Sequence, residues 1–224
     1  MIGQQDPPAG EGPAGEAQTY STGTTTVGLV AADGVVLATD RRASLGGRFV
    51  SNKRTVKIEQ VHPTAVITLS GSVGGAQAYA RQLRAQGRLY ETRRGEPMTM
   101  DALATAAGNA LRGLPVSPLL GGVDTDGPRL FQLDAAGGVL EDEYGATGSG
   151  TQVAIGAIEG RHDPDADIEA AAELAADAVA AASERDTASG NGLVVARITT
   201  EGVDLREHDT AAAVAVAGDE KEVN

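Results

Sequence analysis

The stretch TGTTTVGLVAADGVVLATD, residues 22–40, combines the strongest strand and turn signals of the chain. Its β-branched start, TTTV, is separated from its end, GVVLATD, by Asp33-Gly34, a dipeptide typical of β-hairpin turns. If Asp33 and Gly34 form a two-residue turn, Asp40 lies opposite Val27, about three residues from the start of the first strand. The stretch therefore predicts a hairpin that carries a carboxylate beside the beginning of its first strand.

Residues 1–23, which precede the hairpin, differ sharply from it in composition. They are rich in Gly, Pro, Gln and Glu and lack aliphatic periodicity, so they cannot bury enough apolar surface to offset the entropy of ordering. We expect a flexible leader here and a folded domain over residues 24–209. Residues 210–224 are acidic and are expected to form a frayed tail.

The pattern after the hairpin alternates groups of strands with groups of helices. Strands are expected at residues 56–62 and 65–70, followed by helices at 75–90 and 100–112, with Thr99 as a candidate N-cap of the second helix. A second series comprises strands at 119–123, 129–133 and 139–144, a helix after Gly150, an Ala-rich helix that runs to about Ser183, and a closing hairpin at 192–199 and 203–207. Asp167 is the candidate N-cap of the Ala-rich helix. Two strand groups, each followed by helices, predict an α+β fold in which two antiparallel sheets are flanked by helices, a four-layer α/β/β/α sandwich.

Charge and composition exclude several classes of protein. The 224 residues suit one domain with a sizeable core. The 31 acidic residues against 18 basic ones give a formal charge of -13, which would repel nucleic acids and anionic membranes. Without cysteine there is no disulfide, no thiolate nucleophile and no cysteine-based metal site.

Two further features of the composition concern where the protein works. Neither the leader nor the most apolar internal run, residues 174–182, has the pattern of a signal peptide or a membrane span, so we expect a cytoplasmic protein. The acid-rich, lysine-poor composition is typical of proteins in concentrated salt, where screening weakens self-repulsion. A halophilic source is therefore a hypothesis.

The junction between Gly23 and Thr24 allows a catalytic interpretation. If Thr24 became the first residue, its own α-amino group, with a free pKa of about 8, could take the proton of its hydroxyl. A leader that ends at Gly23 would cover this amine until it was removed. A cation from a neighbouring strand, held by Asp40, would favour the neutral amine and the developing alkoxide. Lys57 is the candidate, and Lys53 is its rival in the preceding loop.

Six segments of the chain resemble, in this order, those of the active β-subunits of archaeal core proteasomes: TGTTTVGLVAADGVVLATDRRAS, SNKRTVKIEQ, LSGSVGGAQ, LLGGVDTDGPRLFQLDAAGG, GATGSG and SERDTASGNG. The resemblance extends from Thr22 to about Glu207. It implies the N-terminal nucleophile hydrolase fold and a threonine endopeptidase without cofactor or metal. It also implies that residues 1–23 are a propeptide removed by autocatalytic cleavage.

The resemblance further implies a role for individual residues. Thr24 would be the nucleophile that attacks the peptide bond, and it would be activated by Asp40 and Lys57. The terminal amine and its water would be supported by Ser149, Asp186 and Ser189. The backbone N–H of Gly71 would be the oxyanion donor, Ser44 and Gly71 would hold the substrate backbone, and an apolar pocket would be lined by Ala43, Leu69 and Val73.

The partners implied by the resemblance are other subunits and unfolded polypeptides. Two rings of β-subunits would lie between two rings of α-subunits, each ring with seven members, and an ATP-dependent unfoldase would supply substrate. The loop at residues 45–49 is a residue longer than in some relatives, which leaves the pocket contribution of Thr55 open. The stretch at residues 114–118 is short, which leaves details of subunit contacts open.

Other interpretations of these residues are possible. The triplet TTT is common in strands, Asp40 beside Arg41-Arg42 can form a strand-end ion pair, and Ser149 can belong to a simple glycine turn. No Gly-Lys-Ser/Thr follows Ser149, so a phosphate loop is disfavoured, and no histidine accompanies a serine elbow. The acidic residues that follow His162 are better explained as a helix entry than as a metal site.

Two rival functions remain open at this point. The first is a β-type subunit that keeps the ring but has lost activity, in which one of Thr24, Asp40 or Lys57 should be missing. The second is another N-terminal nucleophile hydrolase, such as a small-amide hydrolase or the bacterial two-ring protease. The segment RDTASG favours the proteasome line.

Overall fold

The computed structural model describes residues 21–45 and 48–219. Their strands are β1 (Ser21–Thr22), β2 (Thr25–Ala31), β3 (Gly34–Asp40), β4 (Ala43–Leu45), β5 (Phe49–Asn52), β6 (Ile58–His62), β7 (Ala65–Thr68), β8 (Gly71–Ser72), β9 (Leu119–Asp124), β10 (Gly127–Leu133), β11 (Val139–Asp142), β12 (Tyr144–Gly148), β13 (Leu193–Thr199) and β14 (Gly202–His208). Their helices are α1 (Val73–Arg94), α2 (Met100–Leu111), α3 (Thr151–Ile158), α4 (Ile168–Ser183) and α5 (Ala212–Asp219).

The larger strands form two antiparallel five-stranded sheets. The first sheet has the order β12-β2-β3-β13-β14, and the second has the order β11-β10-β9-β7-β6. Helices α3 and α4 pack on the outer face of the first sheet, and α1 and α2 pack on the outer face of the second. A third apolar cluster fills the space between the sheets. The predicted α/β/β/α sandwich is therefore confirmed.

The hairpin of β2 and β3 is apolar on both faces because it lies in the middle of the sandwich. Val27, Leu29 and Val36 pack against α3 and α4. Val35 and Leu37, which point the other way by the period of two in a strand, pack against the second sheet. A strand buried on both faces has a nearly continuous apolar sequence, as these two have.

The register of this hairpin differs from the sequence-based prediction. The turn residues are Ala32 and Asp33, so the predicted turn one residue later is wrong. The predicted pairing of Asp40 with Val27 is also wrong, because the whole register is shifted by two residues. The shift brings the Asp40 side chain to the backbone of Thr25, whose N–H donates to Oδ1 at 3.0 Å.

Contacts outside the hairpin account for the shift. The Asp33 carboxylate accepts a hydrogen bond at 2.9 Å from the backbone N–H of Ile168, at the start of α4. Gly34 lies inside the strand, where a Cβ atom would come within 2.3 Å of the Ile198 carbonyl oxygen on β13. The glycine therefore allows close approach of two backbones, and tertiary packing overrides the turn preference of the dipeptide.

Two helix starts agree with the predicted N-caps. The Thr99 hydroxyl accepts a hydrogen bond from the N–H of Ala102 in α2, at 3.3 Å. The Asp167 carboxylate accepts one from the N–H of Ala170 in α4, at 2.8 Å. Both bonds satisfy a donor that the first turn of a helix leaves unpaired.

The two ends of the described chain are more ordered than the composition predicted. Residues 212–219 form α5 instead of a frayed tail, because Val214 is buried among the apolar side chains that also pack on α4. Ser21 and Thr22, which belong to the described part of the predicted leader, pair with Ser72 and Gly71 of β8. Residues 1–20 of the predicted leader lie outside the described residues. Over the described ranges, every helix is too short or too polar to span a membrane.

Candidate active site

A buried ion pair lies directly beside the peptide bond between Gly23 and Thr24. The Lys57 Nζ donates to Asp40 Oδ1 at 2.6 Å and to the Gly23 carbonyl oxygen at 3.3 Å. The Asp40 side chain is 0% exposed and that of Lys57 is 2% exposed. The structure thus brings the predicted cation and carboxylate together, and the cation also contacts the carbonyl group of the predicted cleavage point.

The position of this pair follows from the ends of three strands. Asp40 is the last residue of β3, and Lys57 immediately precedes β6. The backbone of Lys57 is held by the Leu69 N–H, which donates to its carbonyl oxygen at 2.7 Å. The second carboxylate oxygen of Asp40 accepts from the N–H groups of Arg42 and Gly190, both at 2.9 Å. Every oxygen of this buried carboxylate is therefore hydrogen-bonded, as burial requires.

The alternative ion pair between Asp40 and the adjacent arginines is not formed. The Arg41 guanidinium pairs with Glu207, and the Arg42 side chain donates to Asn191 and to the Thr187 carbonyl oxygen. The partner of Asp40 is thus Lys57, the lysine that immediately precedes β6, and the catalytic interpretation requires such a partner.

The environment distinguishes Lys57 from Lys53. Burial lowers the pKa of Lys57, and the attraction of the Asp40 carboxylate, which acts in the opposite direction, offsets only part of that effect. Lys53 is exposed and follows β5, and the ion pair with Asp40 is formed by Lys57 instead. The structure therefore favours Lys57 over its rival as the residue that acts near Thr24.

A second hydrogen-bonded group contacts the backbone N–H of Thr24. This N–H donates to Ser149 Oγ at 3.2 Å, and Ser149 Oγ donates to Asp186 Oδ2. Ser189 Oγ donates to the same carboxylate oxygen at 2.7 Å and is 2.8 Å from Thr25 Oγ1. The predicted residues Ser149, Asp186 and Ser189 thus form one connected network on the side of Thr24.

The single hydroxyl proton of Ser149 orients this network. Because the proton goes to Asp186, the Ser149 oxygen presents a lone pair to the nitrogen of Thr24. An α-amino group at the same place would be held by this acceptor. The acceptor that holds the amide N–H of Thr24 in this structure can therefore also orient a terminal amine.

Asp186 is ionised over a wide pH range because of its donors. Burial raises its pKa, but hydrogen bonds from Ser149, Ser189 and the Ala188 N–H outweigh burial and leave the pKa below the ordinary value of 3.8. A carboxyl group with a lowered folded-state pKa contributes stability that is fully present above its unfolded pKa and is lost as the pH falls through the folded value.

The Asp186→Asn chain tests this contribution to stability. We expect its melting temperature to lie about 1–2 °C below that of the unchanged chain at neutral pH, a small difference because Asp186 is partly exposed. The difference should persist down to a pH of about 4 and shrink below it, where the aspartate becomes protonated. Thermal unfolding of both uncleaved chains across pH checks this. A difference that grows on acidification would contradict it.

The residues predicted to contact substrate lie around the last residues of the leader. Ala43 and Ser44 belong to β4, and Gly71 of β8 lies opposite Thr22 of β1. A Cβ atom on Gly23 would come within 3.1 Å of Ser44 Oγ. The segment before the predicted cleavage point therefore occupies the edge that was predicted to hold a substrate backbone.

Two of the three predicted pocket residues flank β8, and the third, Ala43, belongs to β4. Leu69 follows β7 and Val73 begins α1, so the two enclose Gly71 and Ser72 in sequence. Ala43 and Leu69 are buried, and Val73 is half-buried. Their role as a specificity pocket stays a prediction.

Two residues at the site were missed by the sequence reasoning. Thr25 contributes a hydroxyl to the network through Ser189, although the triplet TTT gave no reason to separate it from its neighbours. The Cβ of Ala188 lies 1.9 Å from the position of a Cβ on Gly23. The only signal for Ala188 was its place between Asp186 and Ser189.

Comparison with known proteins agrees with this geometry. A sequence model of the family described as "Proteasome subunit" matches residues 20–198. "Proteasome subunit beta" of Halorhabdus utahensis is 62% identical over 194 residues, which cover 85% of this chain and 83% of that protein. "Proteasome subunit beta 2" of Haloarcula marismortui is 58% identical, covering 87% and 86%. "Proteasome subunit beta" of Halomicrobium mukohataei is 56% identical, covering 91% and 86%.

These relatives come from halophilic archaea, and their similarity extends over most of the chain. The resemblance inferred from the six segments is therefore confirmed. Together with the sandwich of two sheets, the match over residues 20–198 leads to one conclusion. The chain belongs to the proteasome subunit family, a family of proteases.

Proposed function

We propose that this chain is the catalytic β-subunit of a proteasome core particle, a threonine endopeptidase that degrades unfolded polypeptides after removing its own residues 1–23. One observation carries the proposal. The Lys57 ammonium lies between the Asp40 carboxylate and the Gly23 carbonyl oxygen, so a charged donor contacts the bond that has to be cleaved. No metal or cofactor takes part in the proposed chemistry.

In the first step, the Thr24 hydroxyl oxygen attacks the carbonyl carbon of Gly23. A C–O bond forms, the C–N bond to Thr24 breaks, and the hydroxyl proton ends on the nitrogen, which becomes a free amine. Lys57 stabilises the negative charge that develops on the Gly23 oxygen. Water then hydrolyses the ester, which releases residues 1–23 with a carboxylate at Gly23.

In each later turnover the same hydroxyl attacks a peptide substrate. The free α-amine of Thr24 accepts the hydroxyl proton, and the proton passes to the nitrogen of the leaving peptide. The acyl-threonine ester is then hydrolysed by a water that the amine deprotonates. Ser149, hydrogen-bonded to Asp186, orients the amine, and the backbone N–H of Gly71 is the proposed oxyanion donor. Ala43, Leu69 and Val73 would favour cleavage after apolar residues.

The proposed partners are α-subunits, further β-subunits and an ATP-dependent unfoldase. The names of the relatives support assembly into a proteasome complex, and we propose that this complex works in the cytoplasm. An inactive β-type subunit is disfavoured because Thr24, Asp40 and Lys57 are all present. A different N-terminal nucleophile hydrolase is disfavoured by the family match over residues 20–198.

The Lys57→Met chain tests the proposed chemistry. Methionine keeps the length of the side chain but removes the charged donor, so we expect peptide cleavage by the assembled complex to fall about 100- to 1000-fold. Leader removal should slow in parallel. Peptidase assays and intact-mass measurement give the two readouts. Lys53→Met is the matched control, and it should keep both activities because Lys53 is exposed, whereas the contacts with Asp40 and the Gly23 carbonyl oxygen are made by Lys57. Equal losses in both variants would contradict the proposed role of Lys57.

A further inference from the structure

The hairpin of β4 and β5 exposes apolar and basic side chains next to each other. Phe49 is 72% exposed, and Leu45 and Val50 beside it are exposed as well. Arg48 and Arg54 are exposed and form no ion pair with any described residue. The sequence contains no Asp or Glu at residues 41–58, although the chain as a whole carries a formal charge of -13. We refer to Leu45, Arg48, Phe49, Val50 and Arg54 as the basic hairpin.

A surface of opposite character lies at the edge of the second sheet. Strand β11 is the outermost strand of that sheet, and all its residues are exposed. Leu140 is 69% exposed. Asp142 and Glu143 follow it, are exposed, and have no basic partner within the part of the chain that the structure describes. We refer to Leu140, Asp142 and Glu143 as the acidic edge.

Neither surface is covered by another described residue of the same chain. The basic hairpin packs beside β1, whereas β11 packs on β10 and α2. A large exposed apolar side chain on an unpaired edge strand promotes association, and soluble proteins usually cover or charge such edges. In the basic hairpin, exposed apolar side chains lie beside positive charges. At the acidic edge, an exposed apolar side chain lies beside negative charges.

We propose that the basic hairpin of one copy of this chain binds the acidic edge of the next copy. Phe49 would cover Leu140, while Arg48 and Arg54 would face Asp142 and Glu143. Two different surfaces that bind each other form a head-to-tail contact, and repetition of such a contact gives a ring when the rotation between successive copies closes. The inference rests on the assembly part of the proposed function and names the surfaces that make the β-β contact.

The opposite charges fix the orientation of this contact, and the apolar side chains supply most of its affinity. Charged pairs that become partly buried in an interface are screened by salt much less than exposed pairs. The contact is therefore suited to concentrated salt as well as to dilute buffer. A second copy of the chain is the best occupant because the chain itself carries both complementary surfaces.

Cysteine crosslinking tests the contact, because the natural chain contains no cysteine. The chain is co-produced with the α-subunits of the same organism, and the complex is oxidised with copper phenanthroline. With Phe49→Cys and Leu140→Cys in the same chain, we expect a series of covalent β-oligomers longer than dimers. Either substitution alone should leave monomers, and co-production of the two singly substituted chains should give covalent β-dimers only.

Several outcomes would overturn the proposal. Crosslinking of the Phe49→Cys chain with itself would show a symmetric contact, and a covalent band that contains an α-subunit would assign the hairpin to the other ring. If the unchanged chain did not assemble at all, the assembly part of the proposed function would fail, and this proposal with it. If the unchanged chain assembles but the doubly substituted chain gives no covalent oligomers, the result counts against the proposed contact and not against assembly.

Charge reversal tests the same contact without requiring two sulfur atoms to meet. Arg48→Glu with Arg54→Glu, or Asp142→Lys with Glu143→Lys, should each reduce the assembled fraction about tenfold at the lowest salt that keeps the unchanged complex intact. All four substitutions in one chain should restore assembly. Restoration supports the proposal by itself. No restoration, combined with no covalent oligomers, overturns it.

Discussion

The Thr24→Ala chain is expected to keep residues 1–23 and to lose peptide cleavage by about four orders of magnitude or more. Alanine retains the backbone N–H that donates to Ser149, so the site should keep its shape while it loses the attacking oxygen. Intact-mass measurement of the assembled complex reports the leader, and a peptidase assay reports the activity. Both readouts should fail together because the proposed nucleophile is the same in both reactions.

The Thr24→Ser chain is the matched control for this loss. Serine keeps a hydroxyl group at the same position, so we expect leader removal to proceed and peptide cleavage to remain measurable. A Thr24→Ala chain that still loses residues 1–23 by cleavage after Gly23 would show that the leader is cut by another nucleophile or another protein. Activity in Thr24→Ala complexes would exclude Thr24 as the nucleophile in turnover.

The fold could be predicted from the sequence where local signals and packing agree. The caps at Thr99 and Asp167 and the alternation of strand groups with helices depend on neighbouring residues, and all of them appear in the structure. The turn of the first hairpin depends instead on α4 and β13, which are far away in sequence. Gly34 is needed for close contact with Ile198, and a dipeptide preference carries no information about that contact.

The candidate site was predictable as a set of residues but not as an arrangement. Asp40 and Lys57 were predicted as a pair, yet the argument used a register that was shifted by two residues. Both registers place the carboxylate near the start of the first strand, which is why the conclusion did not depend on the error. The contact of Lys57 with the Gly23 carbonyl oxygen requires three strand ends to converge. No spacing in the sequence reports such convergence.

Gly23 occupies a space that no other residue fits. A Cβ atom at this position would lie 1.9 Å from the Cβ of Ala188, 3.1 Å from its Cα and 3.1 Å from Ser44 Oγ. Two carbon atoms that are not bonded to each other do not approach to 1.9 Å. Any side chain at position 23 must therefore displace either the leader or the backbone around Ala188. The displaced atoms include the carbonyl group that Lys57 contacts.

We therefore expect Gly23→Ala to slow leader removal by about 100-fold, the effect of a misplacement of roughly 1 Å at a reacting centre. The fold should tolerate the change, because the leader can move without opening the core. A time course of intact mass on newly assembled complexes measures the rate. Gly23→Ala chains that lose the leader at the normal rate would show that the space is not limiting.

The Ala188→Gly substitution should restore much of this rate in the Gly23→Ala chain. It removes the Cβ at 1.9 Å and leaves contacts of 3.1 Å, which small shifts can relieve. We expect the double variant to lose its leader within about tenfold of the natural rate, and Ala188→Gly alone to lose it normally. Absence of rescue, with Ala188→Gly alone fully processed, would mean that position 23 needs the backbone freedom of glycine rather than the space beside Ala188.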